Sequence, residues 1–460
     1  MKRESEFLYT KLYKTLKEQI GTGIIKPGEF LLPENELSSR YGISRKSVRH
    51  ALSLLLADGL IEKRAGLGTL VPEDLVIAGD KRRTLRILTP SPAFFLDHGL
   101  PVFVEAFERQ YPDVEVKVHG LPVDKFWESF RSGSEMGLIA DLILVPDMQF
   151  SKMSNLADFV DLSPFLTGQI DTVYPKIMKH FAAGDRIMAA PFTFSSAFFA
   201  CNPELFKRHG IPIPEKQWNF DDFVSAAAKL TVVQDGITTQ YGFSMHPVIN
   251  RWLAFALMNG FAPGNIDRQT EVLLQSLSVI RDLFFRKRIA TTFPEMVWPR
   301  TPFIHGKSAM VLTTMLEMAN WQNVDIDFMP RVIPLPFDND ASTLLLANAF
   351  MIPASSENAQ LAGAFVRTAL ADETQRALTE NTLFLSVKEP INRNAKPEAY
   401  LRLLNLSPDR MDNNYFINEL FEDRVWNTLE ENMSMFWLGL DSPDVIVEKF
   451  ANLCLEHSNS

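Results

Sequence analysis

The sequence predicts a multidomain chain: a small α+β head followed by a much larger α/β body. Three observations carry that reading. A chain of 460 residues is too long for one core. Helical apolar spacings fill the first sixty or so residues and end in a glycine-punctuated hairpin, whereas from Leu85 onward short apolar strands alternate with helices. Charge divides at the same place, with 15 Lys and Arg against 11 Asp and Glu in residues 1–83, and 31 against 45 in the rest. A basic head on an acidic body fits a local contact with nucleic acid, the body being repelled by phosphate. The expected boundaries are 1–78 for the head, 79–84 for a polar linker and 85–460 for the body.

The balance of 46% hydrophobic and 22% charged residues excludes disordered and fibrous classes. Cys201 and Cys454 are the only cysteines, so no disulfide framework is implied and a reducing compartment is expected. No apolar leader follows the charged start, and no run approaches the ~18 apolar residues that cross a bilayer. A soluble, cytoplasmic protein without a membrane partner is the expectation.

In the head, Leu8, Leu12, Leu16 and Ile20 recur every fourth residue and predict an amphipathic helix, broken by Gly21, Gly23, Pro27 and Gly28. Glu34–Tyr41 reads as a second helix ended by Gly42, and Ser44 as the N-cap of a third. There Val48, Ala51, Leu52, Leu55 and Leu56 make one buried face, while Arg45 and Arg49 lie one turn apart on another. After Gly59, Leu60–Arg64 and Thr69–Val71 read as strands of a hairpin around Gly66 and Gly68.

Two exposed arginines near a helix N-terminus suit the major groove, where Arg takes guanine O6 and N7 or grips phosphate. Lys46 and Ser47 lie beside them, and Lys63 and Arg64 of the hairpin would meet the backbone, with Gly66 allowing close approach. Any one of these charges could equally be an ordinary solvated surface group. The combined string, Gly23 through Leu37, Tyr41-Gly-Ile-Ser-Arg-Lys-Ser-Val-Arg-His-Ala-Leu, Asp58-Gly-Leu-Ile and Gly66-Leu-Gly-Thr, resembles the winged helix-turn-helix of GntR-family bacterial regulators. That resemblance implies that Arg45, Arg49 and Gly66 meet double-stranded operator DNA. Two departures put a helix-2 base contact in doubt: Asn35 stands where the family commonly has arginine, and Leu32-Pro33 where it usually has Pro-Ser.

In the body, Leu85–Leu88 and Val114–Val118 read as strands with a helix over Val102–Tyr111 between them. Asp141-Leu-Ile-Leu-Val145 is the continuous apolar run of a strand covered on both faces of a parallel sheet. Several cassettes follow in order. They include Ala140-Asp-Leu-Ile-Leu-Val, Ile187-Met-Ala-Ala-Pro191, Phe199-Ala-Cys-Asn-Pro-Glu-Leu-Phe, Trp218-Asn-Phe-Asp-Asp-Phe, Phe303-Ile-His-Gly-Lys-Ser-Ala-Met310 and Ile333-Pro-Leu-Pro336. Their order and spacing are similar to the sugar-type solute-binding proteins of ABC transporters, extracellular solute-binding family 1, over roughly residues 84–390. The resemblance implies a two-lobed α/β, periplasmic-binding-protein-like clamp with a ligand cleft between the lobes. The secretion signal and lipid-anchor cysteine of that family do not appear, so capture outside the cell is not expected.

In open α/β sheets ligands bind beyond the carboxyl ends of strands. That singles out the loops beginning at Thr89, with Phe94, at Pro146, with Asp147, and at Phe192, with Thr193, together with the segments near Ser244–His246 and Thr313–Thr314. A sugar needs flat aromatic platforms and side chains that both donate and accept hydrogen bonds. Trp252, Trp298 and Trp321 are the candidate platforms, each with a core position as the bland reading, while Trp218 reads as structural. Asn348, alone in an apolar run, needs either a ligand hydroxyl or a backbone partner.

No metal-binding spacing, nucleophile elbow or phosphate-cradling loop is present, so neither catalysis nor a metal nor a cofactor is expected. The reading is a DNA-binding regulator, expected as a homodimer, whose operator affinity responds to a small molecule such as a mono- or oligosaccharide. Two alternatives stand beside it. One is a pyridoxal-phosphate-binding, aminotransferase-like body with Lys307 as its lysine; the other is a ligand-free dimerisation scaffold.

Overall fold

A computed structural model describes residues 2–21, 23–64, 68–75, 83–93, 95–135, 139–153, 155–293, 301–336 and 342–458. Gly66, Phe94, Trp298 and most of the expected linker, residues 79–82, lie outside them.

The head is built from α1 (Lys2–Gly21), α2 (Glu34–Tyr41), α3 (Arg45–Ala57) and the hairpin β1 (Glu62–Arg64) and β2 (Gly68–Leu70). Gly42 ends α2 at φ 62°, a left-handed conformation that a Cβ would strain. Two residues on, Ser44 opens α3, its Oγ accepting the N–H of Ser47 at 3.1 Å. Leu12, Leu16 and Ile20 of α1 pack on Val48, Ala51, Leu52 and Leu55 of α3. Leu56 is a correction: it is 43% exposed, because α3 turns it past the edge of that face. Asp58, just after α3, accepts from Lys17 Nζ at 2.6 Å and so ties the end of α3 to α1.

The body begins with β3 (Arg83–Ser91), α4 (Leu100–Gln110), β4 (Val114–Pro122), α5 (Phe126–Glu135), β5 (Leu142–Pro146) and α6 (Asp147–Ser151). Next come β6 (Ala190–Cys201), β7 (Ile237–Met245), α7 (Ile249–Met258), α8 (Ile266–Arg281), β8 (Ser308–Thr314) and α9 (Met315–Met318). The chain ends with β9 (Leu345–Met351), α10 (Ala359–Leu370), α11 (Asp372–Asn381), α12 (Asp423–Trp437) and α13 (Pro443–Ser458).

The main sheet runs Ala290–Thr292, β7, β8, β6, β9, β5, β3, β4. On one side β3 pairs in parallel with β4 and β5, and on the other β7 pairs in parallel with β8 and Ala290–Thr292. Between these wings β6 spans the molecule, all twelve of its residues buried. Residues 190–196 of β6 pair with β9, and residues 197–201 pair with β8. The strand's period of two then sends Phe192, Phe194, Phe198 and Ala200 to one core, and Ala197, Phe199 and Cys201 to a second. The first core is closed by α4 and α10, the second by α7, α8, α12 and α13. Two lobes joined through a shared strand result, and the carboxyl ends of β5, β7 and β8 converge where they meet.

Trp218 keeps the structural role expected of it: its indole N–H donates to Pro334 O at 2.8 Å. It stands just before the helix Phe220–Leu230, whose N-cap Asn219 and Asp222 form a reciprocal capping box.

Candidate nucleic-acid interface and ligand cleft

The nucleic-acid candidates are set by α3 and the hairpin. Arg45, Lys46 and Arg49 are exposed, Ser47 is half-buried, and Ser47 Oγ lies 2.9 Å from Ser44 Oγ within the cap. Arg49 Nε donates to Glu34 Oε2 of α2 at 2.6 Å while the guanidinium remains largely exposed. On the hairpin Lys63 is exposed, and Arg64 bridges Glu62 at 3.1 Å and Glu73 at 3.5 Å. Arg45, Lys46 and Arg49 of α3 and Lys63 of the hairpin are therefore exposed basic side chains, whereas Arg64 is drawn partly toward carboxylates and Ser47 is occupied in capping. Sequence reading missed Glu34 as the partner of Arg49, since only the fold brings α2 against α3.

In the body, Asp147 opens α6 immediately beyond β5. It is buried, and its Oδ1 accepts the N–H of Ala347 at 3.0 Å. Burial pushes its carboxyl up to about 7, against the opposing backbone hydrogen bonds. Its neighbour Met148 crosses to the other lobe, where Asn250 Nδ2 lies 3.5 Å from Met148 Sδ. His246, just past β7, is buried beside Phe293 at a ring separation of 5.3 Å. Burial, then the charge of Arg251, lowers its imidazole to about 4 and keeps it neutral.

Behind this rim sits a group that the sequence reading did not single out. Arg251 of α7 donates from Nη2 to Glu317 Oε2 at 3.3 Å and to Thr314 Oγ1 at 3.3 Å. Thr313 Oγ1 donates to the same Glu317 oxygen at 2.9 Å, and Thr314 Oγ1 caps α9 by accepting the N–H of Glu317 at 3.2 Å. Both charged groups are buried; burial lowers the Arg251 value and raises that of Glu317. Arg251 Nε and Glu317 Oε1 are buried without a hydrogen-bond partner among the described residues. The signal was present: Arg251 interrupts the apolar run Ile249–Met258, and Glu317 lies between Leu316 and Met318. Charged residues in such runs are rarely buried unless paired.

The C-terminal helices close one side. Glu430 of α12 accepts the N–H of Ile249 at 2.6 Å, and burial pushes its carboxyl up to about 7. Lys152, following α6, stands 4.7 Å from the ring of Trp426, a cation over an aromatic face.

The fold thus brings Asp147, His246 and Thr314 to the converging strand ends. Phe192 is a correction: its ring stacks on Phe350 at 4.1 Å among Phe95 and Phe103, inside the first core. The loop assignment failed because β6 starts earlier than expected, at Ala190. Trp252 lies wholly inside the second core, and Trp321 packs in the first, 5.1 Å from Phe303. Thr193 is buried, its Oγ1 donating to Leu385 O at 2.8 Å, which is a structural bond. Asn348, also buried, stands in register between Pro146 and Thr193. A groove of about 850 Å³ lies elsewhere, on the outer face of one lobe between α4 and α11, lined by Glu105, Arg109, Glu373 and Arg376.

Among the described residues no helix is long and apolar enough to cross a membrane. Likewise, among the described residues no three His, Cys, Asp or Glu are grouped so as to hold a metal ion.

The head is similar over 69 residues, at 39% identity, to the mannosyl-D-glycerate transport/metabolism system repressor MngR of Escherichia coli (strain K12), an alignment covering 15% of this chain and 29% of that protein. The chain therefore spans less than a third of the length of that relative. The fold is similar to an ABC substrate-binding protein from Listeria monocytogenes in complex with cycloalternan: TM-score 0.67, 18% identity, 82% of this chain and 99% of that one. It is equally similar to the maltose/maltodextrin-binding domain MalE from Bdellovibrio bacteriovorus bound to maltotriose, with TM-score 0.67, 16% identity and 82% and 100% covered. These matches overturn the aminotransferase-like alternative for the body, and Lys307 falls in an ordinary turn, its carbonyl accepting from Tyr241 N. The gntR family of bacterial regulatory proteins matches residues 8–71, and the bacterial extracellular solute-binding protein model matches residues 98–376, more than half of the sequence, so the chain belongs to the solute-binding protein family and carries a GntR-family head.

Proposed function

We propose that this chain is a cytoplasmic transcriptional regulator whose head binds operator DNA and whose body binds a carbohydrate between its lobes. The observation that carries the reading is the join itself. A helix-turn-helix with Arg45, Lys46 and Arg49 exposed is fused to two lobes whose strand ends carry Asp147, His246 and Thr314, with Asn250 of α7 reaching Met148. The cycloalternan and maltotriose carried by the similar structures support a saccharide as ligand. A homodimer presenting two heads to two half-sites fits the mode of binding of such motifs. Ligand modulates DNA affinity if it binds one lobe arrangement better than another; a differential of about 1–3 kcal/mol changes affinity roughly 5–150-fold. Neither domain family is enzymatic, and the proposed protein is a sensor without a catalytic step.

The test is a thermal-shift screen of the full chain against mono- and oligosaccharides, followed by operator binding with and without each stabilising compound. A sugar that both stabilises the protein and shifts operator affinity supports the proposal. Operator affinity that ignores every stabilising sugar overturns the sensing step. A scaffold reading, without ligand, is favoured by one observation: the cleft rim is already bridged between the lobes by Met148 and Asn250. Silence across the panel, with intact operator binding, selects that reading.

A further inference from the structure

Four large apolar side chains that no core absorbs come together at one corner of the body. Phe285 is 37% exposed, Met435 49%, Leu438 68% and Leu440 72%. The backbone brings them together. After α8 the helix widens by one residue, with Lys287 N donating to Asp282 O at 2.8 Å, and the two phenylalanines within this turn face different ways. Phe284 turns inward against Trp437 at a ring separation of 5.9 Å, while Phe285 turns outward over the α12–α13 turn. A Cβ on Gly439 would lie only 3.0 Å from the Phe285 ring, so Gly439 lets the ring settle between Leu438 and Leu440. Leu440 N donates to Met435 O at 2.9 Å, which closes the turn and sets Met435 beside them. Such one-residue widenings recur at functional sites. A contiguous exposed apolar patch marks an interaction surface more often than a scattered leucine does.

The rim of this patch indicates its occupant. Beside Phe285 the exposed side chains are the basic Arg286, Lys287 and Arg288, the first two paired with Asp282; beside Met435 and Leu440 they are acidic, Glu431 one turn before Met435 and Asp444 in the first turn of α13. A two-fold contact places the same patch on both sides, so a surface with opposite charges flanking an apolar centre is complementary to itself. We propose that this face is where two copies of the chain pair, apolar centre on apolar centre and the basic flank of each against the acidic flank of the other. The proposal deepens the regulator reading, which calls for two heads, by naming the surface that joins them.

The test is sedimentation velocity on the full chain at micromolar concentration, without DNA or sugar, so a negative result here leaves operator and ligand binding untouched. The wild type is expected at twice the 52.1 kDa chain mass, and Leu438→Glu/Leu440→Glu at a single chain mass with an unchanged melting temperature. Arg286→Glu/Arg288→Glu and Glu431→Arg/Asp444→Arg are each expected as monomers, and an equal mixture of the two as a heterodimer. A monomeric wild type, or a leucine variant that keeps the wild-type mass, overturns the proposal. Failure of the mixed charge variants to pair overturns the two-fold arrangement.

Discussion

Arg49 Nε stands 2.6 Å from Glu34 Oε2, so the side chain best placed to meet a DNA groove is held by a carboxylate from the preceding helix. The pair is solvent-exposed and worth little to stability, about 0–1 kcal/mol. Its weight falls on binding, where Glu34 aims the guanidinium and also sets a negative charge beside incoming phosphate. Glu34→Gln is therefore expected to raise affinity for random DNA up to roughly fivefold, from loss of that repulsion, and to narrow the preference for operator. Fluorescence anisotropy on operator and scrambled duplexes measures both. Unchanged affinity on both sequences removes Glu34 from the interface.

Arg49→Ala is expected to weaken operator binding by about 1–3 kcal/mol and to relax preference at one base position. A titration over several salt concentrations separates roles. Uniform weakening on all sequences with a shallower salt slope marks a phosphate contact instead. Lys63→Ala, on the hairpin, is expected to show the second pattern.

The buried Arg251–Glu317 pair makes a prediction about stability. Removing one charge leaves the other uncompensated, so Arg251→Met or Glu317→Gln is expected to cost about 3–5 kcal/mol. Arg251→Met/Glu317→Leu, which removes both, is expected to recover much of that loss. Urea denaturation of the three variants measures the coupling. A double variant no more stable than the worse single one shows that the pair holds the strand ends together beyond its own charges.

Asp147 and Glu430 make a pH prediction. Burial raises both folded-state values to about 7, above the ordinary carboxylate range, so the folded protein holds more protons than the unfolded chain between about pH 4 and pH 7. Their contribution is harmless at low pH, and stability is lost as pH rises through that window. His119, lowered to about 4 mainly by burial, and His246, also near 4, act in the opposite sense over pH 4 to 6.5. The carboxylate effect is isolated by comparison with Asp147→Asn and Glu430→Gln. Each variant is expected to gain stability relative to wild type on going from pH 4 to 7 in denaturation series. A parallel pH profile contradicts the assignment.

Much of the head was legible because its signals are local. Gly42, Ser44 and the spacing of Val48, Ala51, Leu52 and Leu55 fix helix, turn and helix within a few residues. The strand beginning near Leu142 was also readable, because cover on both faces leaves an unbroken apolar run. The site was less legible. Trp252 and Trp321 looked like platforms because aromatic residues are common in both clefts and cores, and only packing separates the two. Arg251 and Glu317 are 66 residues apart, and Glu34 is 15 from Arg49; no local pattern announces such meetings.

The unbroken burial of β6 has a consequence for how this molecule can diverge. Loops at the strand ends are open to insertion, and through them the cleft can acquire new chemistry. The crossing strand has no such latitude. Adding a single residue before Ala197 would invert the facing of everything after it, sending Ala197 and Phe199 toward the space now filled by Phe198 and Ala200. Its length is thus expected to stay at one value across descendants of this chain while the surrounding loops drift freely.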